Sequence, residues 1–419
     1  MALACAVFAP VPPAVAIPYP GAESPADLQT LIDRAEPEST VVVPAGTYRG
    51  PVVIDKPLQV LAEGDAELIV ESGDRPAVTV TAGRVKIAGF TIRTASGGIL
   101  LQGAGGGEIT GNTVIGIAAE GMESSPDLSW LEMGNGIELY DSHDNRIAGN
   151  FVSGMHDAIY VENSHGNVIE QNRVEHSRYG IHLMYADRTA IRGNVGAYNL
   201  TGAMIMAASG TIAEDNTFYK QFENVHSQGI LLFDAHNSRF RGNTVDGNRV
   251  GIYVEQSSGN MFAGNRIERN FVGVQLIGAE GNTFAENVFI GNVTDAEERS
   301  GSNNRIDGNY WDSFGGIDHD GDGASDMPNA INPFFQAVAA RQPAFQLFFG
   351  SPGMRFLEAV FESGSAGLLT DSAPLMAPPA GVMPANAGAG GEKTGTLIPG
   401  IILLLVSLTT IYALGVRRS

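Results

Sequence analysis

Four side chains in this sequence have the types and the spacing for metal chemistry. His182 and Met184 are followed 22 residues later by Met204 and Met206. One imidazole and three thioethers, with no carboxylate among them, make a soft donor set that favours Cu(I) over hard cations. On stacked strands, neighbours along one face lie about 7 Å apart and vertical neighbours about 5 Å. Flexible methionines could close those gaps around one ion. Three methionines also suit an apolar stripe under a loop or a partner protein, because the unbranched thioether adapts to irregular surfaces. Both readings stand, and the copper one needs the four side chains together on one exposed wall. Tyr179, Tyr185, the loop Phe218–Gln228 and the insertion Gly116–Asn135 with Met122, Trp130 and Met133 could line a pocket over them.

A second constellation is harder in character. Asp318, Asp320, Asp322 and Asp326 fall at positions 1, 3, 5 and 9 of a loop resembling an EF-hand, with Gly323 at the turn. Asn329 stands where that loop needs a glutamate, so a structural Ca2+ or similar cation competes with a plain acidic turn. Polysaccharide cleavage would need paired carboxylates, or a carboxylate with His or Arg, on one outer face. Glu138 and Glu162 sit on neighbouring coils in different columns, and the sequence suggests no aspartate beside His182. A polysaccharide-active enzyme (uronic-acid lyase, hydrolase or epimerase) is therefore the alternative function. His143, His165 and His236 recur at one turn position and read as solvated.

A repeat must position these groups. The final Asn of an N-x-hydrophobic-x-G/E/D-N motif falls at 112, 150, 172, 194, 216, 243, 265, 287 and 309, in steps of 22 apart from 38 and 27. Gly98, Gly136, Gly180, Gly202, Gly229, Gly251 and Gly273 each open a short apolar strand in the same phase, with Ala158 replacing one glycine. Such a unit predicts an all-β, right-handed parallel β-helix with coils of about 22 residues. The recurring Asn tolerates the left-handed conformation of a turn and can bond its copies above and below, so it needs no catalytic role. Counting from each glycine, positions +1 and +3 should face inward and +2 and +4 outward. That register brings His182, Met184, Met204 and Met206 into a two-by-two block.

The rest of the chain divides around this repeat. Residues 1–20 are signal-like but lack a positive start. Residues 21–332 form the β-helix, preceded by a capping helix announced by Ser24-Pro25 and the stripe Leu28, Leu31 and Ile32. Residues 333–362 are aromatic and could close the helix or dock on a membrane partner. Residues 363–396 read as linker. The uncharged stretch 397–416 is long enough to span a bilayer, and Arg417-Arg418 would keep the C-terminus cytoplasmic and the remainder outside. A net charge of −21 makes nucleic acid an improbable partner, and the single cysteine, Cys5, leaves no internal disulfide or thiolate site.

Val43-Pro44-Ala45-Gly46-Thr47-Tyr48 and Ile54-Asp55-Lys56-Pro57-Leu58 look like the start of carbohydrate-binding and sugar-hydrolase-type β-helices. Ser177-Arg178-Tyr179-Gly180-Ile181-His182-Leu183-Met184-Tyr185, Ala203-Met204-Ile205-Met206, Asn309-Tyr310-Trp311-Asp312, Gln346-Leu347-Phe348-Phe349 and Ser351-Pro352 are more specific. Over residues 25 to 362 the chain resembles the NosD family of nitrous oxide reductase maturation proteins. The resemblance implies an extracytoplasmic accessory protein rather than an enzyme, seated on an ABC transporter of NosF and NosY. Such proteins would take Cu(I) from the chaperone NosL and help assemble the copper–sulfur centre of the reductase, NosZ. The linker and C-terminal span depart from the family pattern.

Overall fold

The computed structural model describes residues 27–71, 73–117, 133–221, 227–331, 353 and 369–382. One coil shows why these residues stack. The strand Asp157–Glu162 is followed by Val168–Glu170 and Arg173–Glu175. Each pairs in parallel with its equivalent one repeat later, as in Ile159↔Ile181, Ile169↔Ile191 and Val174↔Gly196. The short strands bury only their central residue, and those residues are mostly branched aliphatics that fit a pleated wall.

Eleven strands, from Val52–Ile54 to Thr294–Arg299, form one wall. The other two series belong to a second sheet of 21 strands, joined through the long strand Gln59–Val70, which pairs with both series. The chain is thus an all-β parallel solenoid of about eleven turns. The 38-residue step leaves the stacking intact, since Ile137 pairs with Ile99. The chain divides into two compact units, Met1–Pro379 and Ala380–Ser419.

The recurring asparagines are buried and bonded in sequence. Asn150 Nδ2 donates to Asn172 Oδ1 at 3.0 Å, Asn172 to Asn194 at 3.0 Å, Asn194 to Asn216 at 3.0 Å and Asn216 to Asn243 at 2.9 Å. The same Oδ1 atoms accept a backbone N–H from the preceding coil, and each Nδ2 also donates to a carbonyl. Each of these asparagines therefore satisfies its buried polar groups with the neighbouring copies. Phe240, Phe262 and Phe284 stack inside at centroid separations of 4.7 and 4.3 Å.

The ladder needs a terminal acceptor, because among the described residues no coil follows Asn309. Asp371 supplies it. Its buried carboxylate accepts the N–H groups of Gly308 and Asn309 at 2.9 Å and Trp311 Nε1 at 2.8 Å. Thr370–Asp371 pairs antiparallel with Asn329–Ala330, and Leu375 N donates to Asn309 O. These residues fall within the stretch 363–396 expected as linker. There they satisfy polar groups at the ladder's open end.

At the other end, the helix Leu28–Arg34 buries Leu28 and Ile32. Its N-cap is Asp27, whose carboxylate accepts Gln29 N; Ser24 and Pro25 lie outside the described residues. The Gln29 amide exchanges bonds with Val53 N and O, pairing the wall's first strand. Among the described residues no helix is long and apolar enough to cross a membrane, and residues 397–416 lie outside them.

Candidate metal site

The site sits on the eleven-stranded wall. Tyr160, His182 and Met204 are register partners on three successive strands, and so are Glu162, Met184 and Met206. The alternating residues Ile181, Leu183, Ala203 and Ile205 fill the core behind them. All four expected ligands thus share one face, but not in the exposed state expected of them. His182 is only 7% exposed and Met204 9%, while Met184 and Met206 are half-buried. Aromatic neighbours lean over the imidazole: the Tyr160 and Tyr179 rings each lie 4.9 Å from it, centroid to centroid. Half of the block is covered and half is open.

An aspartate that the sequence did not suggest lies beside the imidazole. Asp157 Oδ2 is 2.7 Å from His182 Nδ1, and Arg178 donates to both carboxylate oxygens at 2.8 Å. The sequence expectation of no aspartate next to His182 is therefore corrected. The cause is local geometry. A Cβ added to Gly180 would meet core Val174 at 2.9 Å, so that position turns inward, as does Ile181 after it. Two inward positions in a row break strict alternation, and the residue before the glycine or its Ala158 substitute comes out on the wall. The signal available was Asp157 one coil ahead of Arg178 and His182.

Electrostatics fix the roles of this trio. Burial would push Asp157 up, but the bonds and charges of His182 and Arg178 outweigh it and hold the carboxyl below its usual range. An ionised carboxylate accepts only, so His182 Nδ1 carries the hydrogen and Nε2 keeps its lone pair when the ring is neutral. Nε2 is buried with no hydrogen-bond partner among the described residues. An orphaned imidazole nitrogen next to thioethers fits a soft monovalent cation held as cargo.

The flanking groups are arranged less suitably for acid–base work. Tyr160 Oη donates to Glu162 Oε2 at 2.8 Å and lies 3.4 Å from Met184 Sδ. Burial, and then the Glu162 bond, push the phenol far above its ordinary value, so it stays protonated. Glu138, which accepts Asn135 Nδ2 at 3.0 Å, is also raised. Burial is the main cause, opposed by the Asn135 bond and reinforced by the charges of Glu162 and Asp157. A carboxyl raised in the folded state binds its proton more tightly than in the unfolded chain, so its ionisation destabilises the fold as pH rises. Glu138→Gln is expected to raise the melting temperature at pH 7, with the gain shrinking toward pH 4 in thermal melts across that range.

The acidic loop is compact. Ligand oxygens of Asp318, Asp320 and Asp322 lie within 4.8 Å of one another. They accept the backbone N–H groups of Gly321, Gly323, Asp322 and Ala324, while Asp326 accepts that of His319. His143 and His165 stack at 5.2 Å, and each Nδ1 accepts a backbone N–H from the next coil, so they are structural turn residues. Met122, Trp130, the centre of the Phe218–Gln228 loop and the aromatic segment 333–352 lie outside the described residues.

A family described as periplasmic copper-binding protein (NosD) matches residues 119–316, which include the whole block. A Pseudomonas aeruginosa protein named as a probable ABC transporter binding protein NosD is 30% identical, across 83% of this chain and 90% of its own. The chain belongs to the NosD family. Membership supports an accessory role for a NosD protein over a catalytic one, and the family's periplasmic description agrees with an extracytoplasmic location. Among solved structures, a DFA-IIIase from Arthrobacter chlorophenolicus has a TM-score of 0.52 at 12% identity, covering 68% of this chain and 92% of that one. The surface adhesin PfbA of Streptococcus pneumoniae has a TM-score of 0.47 at 12% identity, covering 64% and 82%. At 12% identity the likeness to the DFA-IIIase shows the solenoid fold alone.

Proposed function

We propose that this chain is an extracytoplasmic accessory protein that holds Cu(I) transiently on its wall and passes it on during assembly of the copper–sulfur centre of nitrous oxide reductase. The carrying observation is His182 Nε2, buried without a hydrogen-bond partner among the described residues, on a wall it shares with the methionines of two adjacent strands. His182, Met184, Met204 and Met206 are the proposed ligands. Neutral donors and a half-covered wall suit an ion that must be released as well as bound. The exposure asked of all four ligands is met only in part, with His182 and Met204 buried, so the reading requires entry at Met184 and Met206, the more open pair.

The P. aeruginosa relative, a probable ABC transporter binding protein, supports seating on an ABC transporter. NosF and NosY are proposed as that transporter's subunits. NosL as copper donor and NosZ as recipient complete the proposal. Within it, the solenoid is right-handed, Leu28–Arg34 caps its first coil, residues 333–362 dock on the transporter, and 397–416 anchor the chain with the C-terminus cytoplasmic. Asp318, Asp320, Asp322 and Asp326 would hold Ca2+ or a similar cation that braces the last coil.

Titration of the purified full chain with Cu(I) against a competing chelator tests the copper reading. The wild type should take up Cu(I), and Met184→Ala with Met206→Ala should weaken uptake at least tenfold. No uptake by the wild type would contradict it. Asp157, His182, Tyr160 and Arg178 on one wall also favour a second reading, a uronic-acid polysaccharide enzyme. It predicts turnover lost at His182 or Glu162. A phenol held protonated by burial and by its bond to Glu162 is poorly suited to serve as its base.

A further inference from the structure

Asp157 is nearly inaccessible, at 1% exposed, and burying a carboxylate is costly unless its oxygens are paired. Arg178 alone would satisfy that need, since its fork engages both oxygens. Yet Oδ2 also takes the His182 Nδ1–H, and the Arg178 fork prevents the carboxylate from rotating away. Arg178 is itself braced over the Tyr179 ring, 4.4 Å from its centroid, and the same ring packs edge-on against His182. The ring of His182 is thereby fixed in one plane and one tautomer, with its free nitrogen turned away from the ion pair.

We propose that Asp157, locked by Arg178, is the positioning residue that makes His182 Nε2 a copper-binding atom. This rests on the copper reading of the same wall. A carboxylate behind a metal-binding imidazole fixes the tautomer and raises the donor strength of the distal nitrogen. Without it, the neutral ring can place its hydrogen on Nε2, which removes the lone pair that the copper reading needs there. Sequence distance conceals the arrangement, because Asp157 lies 25 residues before His182 and meets it only through the coil.

Two measurements on the full chain test the proposal. Long-range 1H–15N correlation of the metal-free wild type, with His182→Ala used for assignment, should show His182 protonated at Nδ1. In Asp157→Asn the single side-chain oxygen should go to Arg178 and the amide NH2 should face Nδ1, shifting the hydrogen to Nε2. Chelator competition should then show Cu(I) affinity reduced about 10–100-fold, with partial recovery in Asp157→Glu. A wild-type ring protonated at Nε2, or unchanged Cu(I) affinity in Asp157→Asn, overturns the proposal. If Asp157→Asn does not fold, the wild-type tautomer still decides. Failure of the wild type to bind Cu(I) would instead strike the copper reading, leaving the tautomer result to judge Asp157 separately.

Discussion

His182→Ala is expected to weaken Cu(I) binding by roughly 100-fold or more, beyond the loss expected when a residue behind a ligand is changed. The methyl side chain removes the only nitrogen donor of the block and leaves three thioethers. It also leaves Asp157 with Arg178 as its partner, so the carboxylate stays paired and the coil should fold. The imidazole is set among the rings of Tyr160 and Tyr179 and fills space there. His182→Gln is the control for volume, because it fills much of that space with little soft-metal affinity. Both variants should lose Cu(I) alike in chelator competition. Retention of wild-type affinity in His182→Ala would move the site elsewhere.

The second large effect concerns the fold. Asn216→Ala removes an oxygen that accepts both Asn194 N and Asn194 Nδ2, and an amide that donates to Ile191 O and Asn243 Oδ1. Asn216 is fully buried, and so are Asn194 and Asn243. Each buried group left without a partner costs about 1–3 kcal/mol. The expected loss is therefore about 3–5 kcal/mol, a large share of the roughly 5–15 kcal/mol that holds a typical domain folded. Thermal melts of the variant should show a midpoint lowered by roughly 5–10 °C. A midpoint within a degree of the wild type would mean that water or backbone movement replaces the ladder. Because coils contact mainly their neighbours, the damage should be greatest near Asn216 in hydrogen exchange.

Much of this was legible in sequence because the repeat does the positioning. A step of 22 residues places Met204 on His182 and Met206 on Met184, and the structure has those pairs. The spacing of Asn150, Asn172 and Asn194 likewise announced the ladder. Asp157 was missed because alternation from the glycine was carried through a corner where Gly180 and Ile181 both turn inward. The covering of His182 and Met204 was missed for another reason. Register tells which way a side chain leaves the wall, and Tyr179 is a neighbour it offers, but not that the Tyr160 ring leans on His182 as well. Asp371 had no periodic signal at all, since it meets Asn309 from 62 residues away and belongs to no coil.

The central claim is that one imidazole nitrogen and neighbouring thioethers hold the same Cu(I) ion. X-ray absorption at the copper edge of the Cu(I)-loaded full chain tests it most directly. One nitrogen and two or three sulfur scatterers in the first shell, with the nitrogen lost in His182→Ala, is the predicted result. A first shell of oxygen and nitrogen alone, unchanged by His182→Ala, would contradict it.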